Sequence, residues 1–154
     1  VKYVLISPLS GKSSWVQAAL AEYGEKIRQW RKWDFVLVTP ARSEELTIKR
    51  AEESERISKV IPASSVLILF DERGKTMSSE QWAGEIQRLE NRGAKALAFV
   101  IGGAYGVSEE LRKKADLVVS MSPWVLNHQV ALVVAAEQIY RALTLIHGHP
   151  YHHE

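Results

Sequence analysis

Several stretches of this sequence hold residue types that could do chemistry. One is Ile101-Gly102-Gly103-Ala104-Tyr105-Gly106, which follows an apolar run directly. Paired glycines there would leave backbone amides open where a side chain would block access, so a ligand can approach the chain closely. Their spacing does not match the dinucleotide-binding fingerprint, and a plain turn is the other reading. A second stretch is Ser120-Met121-Ser122-Pro123-Trp124-Val125-Leu126-Asn127-His128. Its small hydroxyls and apolar groups could enclose an apolar part of a ligand while offering backbone polar groups. Asn127 reads as a helix cap, with His128 in the first turn behind it. A third stretch sets Lys26, Arg28, Arg31 and Lys32 among Trp30 and Trp33. It could contact phosphates and stack on unpaired bases, or simply close a helix with its tryptophans in the core. Ser10-Gly11-Lys12-Ser13 looks like the end of a phosphate-binding loop. That loop needs a glycine five positions before Gly11, where Ile6 stands, so a turn is expected instead. His147, His149, His152 and His153 crowd together at the end, but Gly148 and Pro150 interrupt any helix that could align them. They read as a short tail folded over the body, not as a metal site.

These stretches need a scaffold. Apolar runs at 3–6, 35–38, 66–70, 96–101 and 117–119 predict strands, each stopped by turn-forming or charged residues. Between them the apolar spacing is helical. Ser14 is expected to cap a helix from Trp15, Ser78 or Ser79 a helix ending near Gly93, and Ser108 a short helix with Glu109 and Glu110 in its first turn. A charged helix is expected over 44–60, with Ile48, Ala51, Ile57 and Ile61 as its inner positions. A long apolar helix is expected over 129–146. Alternating strands and helices, with strands apolar on both faces, predict a parallel sheet covered by helices. Such sheets bind ligands in loops at the carboxyl ends of their strands, here after Phe70, Ile101 and Val119.

Composition narrows the function further. A chain of 154 residues is expected to form one domain, and it has no internal repeat or linker-like segment. Having no cysteine excludes a disulfide scaffold, a thiolate metal site and a cysteine nucleophile. Twenty basic against eighteen acidic residues, a net charge of +2, is too balanced to imply nucleic-acid binding from composition. No unbroken apolar run approaches the ~18 residues of a membrane span, and the opening run to Ile6 is too short for a signal-peptide core. A cytoplasmic location without membrane attachment is expected.

Taken together, some of these segments resemble one family. They are the Val-Ile-Gly-Gly-x-x-Gly turn, the Ser-x-Ser loop running to His128, Glu137-Gln138-Ile139-Tyr140-Arg141-Ala142 and the terminal Pro150-Tyr151-His152. Asp71-Glu72-Arg73-Gly74-Lys75 followed by Ser78-Ser79-Glu80 fits the same pattern. The sequence resembles the ribosomal RNA large subunit methyltransferase H family, small members of the SPOUT methyltransferases, from its first strand to its last residue. The resemblance implies an α/β fold: a parallel sheet flanked by helices, with a C-terminal trefoil knot. It also implies a homodimer, S-adenosylmethionine as methyl donor, and methylation of N3 of pseudouridine 1915 in 23S rRNA of assembled ribosomes.

Carried onto this chain, the resemblance assigns the cofactor to Phe70, to Gly102, Gly103 and Gly106, and to the knotted loop Met121, Ser122, Pro123, Trp124, Val125 and Leu126. It assigns the substrate end to His128, Arg141, Tyr151 and His152, with the tail of one subunit reaching the partner's site. An attacking N3 must lose its proton, for which His128 and His152 are both candidates, while Arg141 could stabilise the anion developing on the ring. The sequence departs from the commoner pattern at Asn127, where a proline is frequent, and at Leu132, where an arginine is frequent. Pro123-Trp124 and His153 are also unusual. The departures at Asn127 and Leu132 motivate an alternative expectation, a ribosome-associated binder that keeps the fold without turnover.

Overall fold

The computed structural model describes residues 1–153. Five strands, β1 (Lys2–Pro8), β2 (Lys32–Val38), β3 (Ser65–Thr76), β4 (Ala96–Ile101) and β5 (Leu117–Ser120), form one sheet in the order β2-β1-β4-β3-β5. Every neighbouring pair is parallel. The crossovers are α1 (Ser14–Ile27), α2 (Leu46–Val60), α3 (Ser79–Glu90) and α4 (Glu109–Lys113), and α5 (His128–Ile146) follows the last strand. Successive strand residues face opposite layers. Tyr3, Leu5, Ile68, Phe70, Leu97 and Phe99 pack under α1, α3 and α5. Val4, Ile6, Leu67, Leu69, Ala98 and Val100 pack against Ile57 of α2 and Leu111 of α4. The expected parallel sheet, apolar on both faces, is therefore the observed one.

α5 is long and apolar enough to cross a membrane by length and composition. Here it is the central helix of its layer, with Leu132, Ala135, Ala136, Ile139 and Leu143 fully buried and α1 and α3 packed on either side. Asn127 caps it as expected, its Oδ1 accepting from the Gln129 amide at 2.9 Å and the Val130 amide at 3.4 Å. Ser78, rather than Ser79, caps α3 through a reciprocal capping box with Gln81.

Three expectations differ from the structure. α1 starts at Ser14 itself, and the cap position is Ser13, whose hydroxyl makes no cap bond but accepts from Gln129 Nε2. β3 does not stop at Phe70. It bulges and then pairs with β5 again, Lys75 with Val119 and Thr76 with Ser120. Its charged residues look like a loop in sequence, yet Gly74 lets the strand run against β5 so closely that a Cβ would stand 2.7 Å from the Val118 and Val119 backbone. In α2, Ile48 and Ala51 are exposed, whereas Glu53, Ser54 and Ile57 are buried. The periodicity of apolar residues misplaced this face because two of its inward positions are polar.

Candidate active site

A cleft of about 450 Å³ opens beside the bulge of β3 that follows Phe70 and at the carboxyl ends of β4 and β5. That volume suits a small-molecule ligand. Phe70 comes from β3, Gly102, Gly103 and Gly106 from the turn after β4, and Met121, Ser122, Trp124, Val125 and Leu126 from the segment after β5. Pro123 is exposed and does not line it. His128 lines it from the first turn of α5.

The glycine turn is closed on itself. The Gly106 amide donates to the Gly103 carbonyl at 2.9 Å, and Gly106 adopts a φ of +79°, which glycine takes without strain. Gly102 is buried beneath Gly106. A Cβ on Gly102 would lie 2.5 Å from the Gly106 carbonyl carbon, so only glycine fits. In the facing wall, Ser120 Oγ donates to the Ser122 carbonyl and Ser122 Oγ accepts from the Trp124 amide. This serine turn leaves Trp124 and Val125 80% and 86% exposed.

The His128 imidazole has a defined proton. Its Nε2 lies 2.6 Å from the Pro8 carbonyl, an acceptor only, so Nε2 carries hydrogen and donates. Ser7, whose hydroxyl donates to the Ile101 carbonyl at 2.6 Å, ties the same corner to β4. Among the described residues, His128 Nδ1 makes no hydrogen bond.

The rim is charged. Arg73 bonds both oxygens of Asp71, at 3.1 and 2.9 Å, and reaches Glu109 at 3.1 Å. The bond from Arg73 holds the Asp71 carboxyl below its ordinary range. These pairings engage the charges of Asp71 and Arg73 on the extension of β3 that runs alongside β5.

Arg141, Tyr151 and His152 come together elsewhere, at the far end of α5. They form a second cluster with Glu137 and Glu80. Arg141 bonds Glu137 in a fork at 3.1 and 2.9 Å, and its Nη1 lies 3.0 Å from His152 Nδ1. A guanidinium only donates, so His152 Nδ1 accepts, and Nε2 donates to Glu80 Oε1 at 2.7 Å. Both imidazole nitrogens of His152 are thus engaged. The Tyr151 hydroxyl donates to Glu137 at 3.1 Å, and its ring lies under the Arg141 guanidinium at 4.7 Å. Burial, with Glu137 alongside, pushes the Tyr151 phenol up to about 12. The Glu80 backbone amide and then His152 hold the Glu80 carboxyl below its usual value. Arg141 sits thirteen positions after His128, ~20 Å along a helix at 1.5 Å per residue. Within one chain, His128 therefore lies with the cleft residues and away from the other three.

Sequence reasoning missed Glu137 and Glu80. Glu137 was legible as the i,i+4 partner of Arg141 on one helix face. Glu80 was not, because 72 residues separate it from His152. The other candidate stretches resolve into structure. Trp33 is buried, and its indole fills the space a side chain on Gly24 would need. Trp30 stacks on His147 at 5.1 Å, and Arg31 forms a fork with Glu90 at 2.7 and 3.0 Å. The tail thus folds over the Trp30 and Tyr140 rings. Among the described residues, no group of three or more His, Asp or Glu is placed to hold a metal ion. Ser10 to Lys12 form an exposed turn before α1.

Comparison with known proteins places this geometry among methyltransferases. A family model described as predicted SPOUT methyltransferase matches residues 1–152. The ribosomal RNA large subunit methyltransferase H of Geobacter sulfurreducens is 39% identical over 142 residues, covering 92% of this chain and 93% of that protein. The protein of the same name from Bdellovibrio bacteriovorus is 39% identical over 154 residues, covering 99% of each. Among solved structures, a probable methylase family protein from Haemophilus influenzae superposes with a TM-score of 0.57 at 13% identity, covering 99% of this chain and 70% of that one. That last likeness concerns the fold alone.

Proposed function

The chain belongs to the ribosomal RNA large subunit methyltransferase H family of the SPOUT methyltransferases, and on that premise we propose that it methylates N3 of pseudouridine 1915 in 23S rRNA of assembled ribosomes, using S-adenosylmethionine. The observation that carries the reading is the glycine-walled cleft beside the ends of β4 and β5, where Gly106 packs directly on Gly102 because no side chain stands between them. The residues present fit the cofactor. Backbone amides of the Gly102–Gly106 turn and of the Met121–Leu126 loop would bind its polar ends, and Phe70, Met121 and Leu126 would enclose its apolar parts. When bound, the cofactor supplies an electrophilic methyl group on a sulfonium.

This chain's side chains would position the uracil ring and move its proton. Much of the acceleration would come from holding the N3 nitrogen in line with the reacting carbon. His128 has its Nε2 proton committed to Pro8, which leaves the Nδ1 lone pair to take the N3 proton. His152 accepts from Arg141 and would have to break that bond first. Arg141, held in a fork by Glu137, would stabilise the anion on the ring, with Tyr151 and His152 completing the surface around it.

In the proposed homodimer, the tail cluster of one subunit completes the cleft of the other. Two features support it. One is the ~20 Å along α5 between His128 and Arg141. The other is the exposure of Trp15, Trp124, Val125 and Val130 at the cleft end of the molecule, which a second copy would cover. The trefoil knot of the family would lie in the Ser120–Asn127 segment, and the working location would be the ribosome-containing cytoplasm.

The departures at Asn127 and Leu132 have structural roles here. Asn127 caps α5, and Leu132 is fully buried. The transfer assay decides between turnover and a binder without it. The test is transfer of labelled methyl to ribosomes that lack the modification, followed by mass mapping of the product nucleotide. Label on N3 of a single pseudouridine is expected. Binding of ribosomes without transfer would overturn the enzyme reading. For the dimer, mixing G102A and R141Q subunits should restore about a quarter of wild-type activity, because random pairing makes half the dimers mixed, each with one intact site. Absence of restoration would overturn the shared site.

A further inference from the structure

The inward face of α2 is polar where it meets the glycine turn. Glu53 and Ser54 are each only 4% exposed. Glu53 Oε2 accepts from the Ala41 amide at 3.0 Å. Its other oxygen lies against Gly103, so that a Cβ on Gly103 would stand 2.5 Å from Oε1. One turn earlier, Arg50 Nε donates to the Tyr105 carbonyl at 3.1 Å. One residue later, Ser54 Oγ accepts from the Ser108 amide at 2.8 Å. Positions 50, 53 and 54 share a helix face. That face therefore grips the segment between β4 and α4 at three points: its start, its tip and its end. Lys49 Nζ adds a bond to the Ala41 carbonyl, which ties the loop after β2 to the same helix.

A carboxylate removed from water is costly unless it is bonded and put to use, and packing alone would be served better by an apolar residue. Glu53 does not line the cleft. We propose that Glu53 is a positioning residue of the cofactor site, which sets the height of the Gly102–Gly103 turn by bearing on Gly103 from behind while anchored to the Ala41 amide. It also fits a glycine at position 103, since a Cβ there would displace either the turn or the Glu53 carboxylate. The inference rests on the cofactor reading above only for its consequence in binding. The support itself is a property of the free protein.

The test uses the full chain and two readouts. In the free protein, hydrogen exchange of amides 102–108 should quicken about tenfold or more in E53A, with α5 unaffected. By calorimetry, E53A should bind S-adenosylmethionine about tenfold or more weakly, because a displaced wall misplaces every amide on it. E53Q, which keeps the shape and an acceptor for Ala41, should stay near wild type. In a double-mutant cycle, G103A should weaken binding strongly while Glu53 is in place and much less in the E53A background, where the added methyl has room. Should E53A fail to fold, E53D draws the carboxylate back from Gly103 and should loosen the same amides. Unchanged exchange over 102–108 in the folded variant, or strictly additive effects in the cycle, would overturn the proposal. If wild type itself does not bind S-adenosylmethionine, the cofactor reading falls, and the exchange measurement still decides the role of Glu53.

Discussion

Adding one methyl group at Gly102 tests the cofactor cleft most directly. In G102A the new Cβ would meet the Gly106 carbonyl carbon at 2.5 Å, its oxygen at 2.7 Å and its Cα at 2.9 Å. Carbon atoms pack at about 3.5–4.0 Å, so the turn must open by about 1 Å. None of the three atoms belongs to a flexible side chain that could swing aside. Opening the turn stretches the 2.9 Å bond from the Gly106 amide to the Gly103 carbonyl, worth about 1 kcal/mol net. Overpacking of this kind costs about 1–3 kcal/mol. At about 2–4 °C per kcal/mol for a domain of this size, the melting midpoint should fall by about 2–12 °C, leaving the protein folded at 25 °C. Function should suffer more than stability. A 1 Å misplacement of groups that hold reactants costs about 100-fold, which equals about 2.7 kcal/mol. Calorimetry with S-adenosylmethionine and a methyl-transfer assay on unmodified ribosomes would measure both effects beside a thermal melt. If G102A is folded, binds S-adenosylmethionine within twofold of wild type and transfers methyl at the wild-type rate, the glycine turn is not the cofactor wall.

Other outcomes follow from the same geometry. R141Q should lower methyl transfer about 100-fold, as expected for losing a donor to a developing anion, while S-adenosylmethionine affinity stays within twofold; equal losses in both would contradict a role for Arg141 confined to the substrate end. The raised Tyr151 phenol favours the protonated folded state, so its contribution is fully present below pH ~10 and is lost as pH rises from there towards about 12. Urea denaturation between pH 8 and pH 11 should show a shallower alkaline decline in Y151F, though not a flat one, because burial raises the Tyr3 phenol as well; identical declines would refute the Tyr151 contribution. Gly84, inside α3, has open space where a Cβ would stand, with nothing within 4 Å, so G84A should stabilise the protein by about 1 kcal/mol and raise the midpoint by about 2–4 °C. A lower midpoint would show that α3 is not a regular helix at that position.

Much of this protein could be read along the chain because the signals are local. Buried runs such as Ala96–Ile101 announce strands of a covered parallel sheet, and Asn127 announces the start of α5. Two of the ligand-facing segments follow from the ends of β4 and β5, and the order of weak motifs points to a family. Three-dimensional packing decided the rest. Asp71 to Lys75 read as a loop, since nothing in sequence pairs Arg73 with Glu109 or brings the β5 backbone against Gly74. Ile48 and Ala51 read as the inner face of α2, since apolar periodicity assumes an apolar neighbour. The neighbour is instead the backbone of a turn, which Glu53 and Ser54 meet with polar atoms. His128 and His152 were equal candidates for the base until their partners were visible. Pro8 and Arg141 assign their protons, and both contacts join residues that only folding brings together. Helix and strand period is a property of neighbours in sequence, whereas hydrogen-bond direction and close backbone approach belong to neighbours in space.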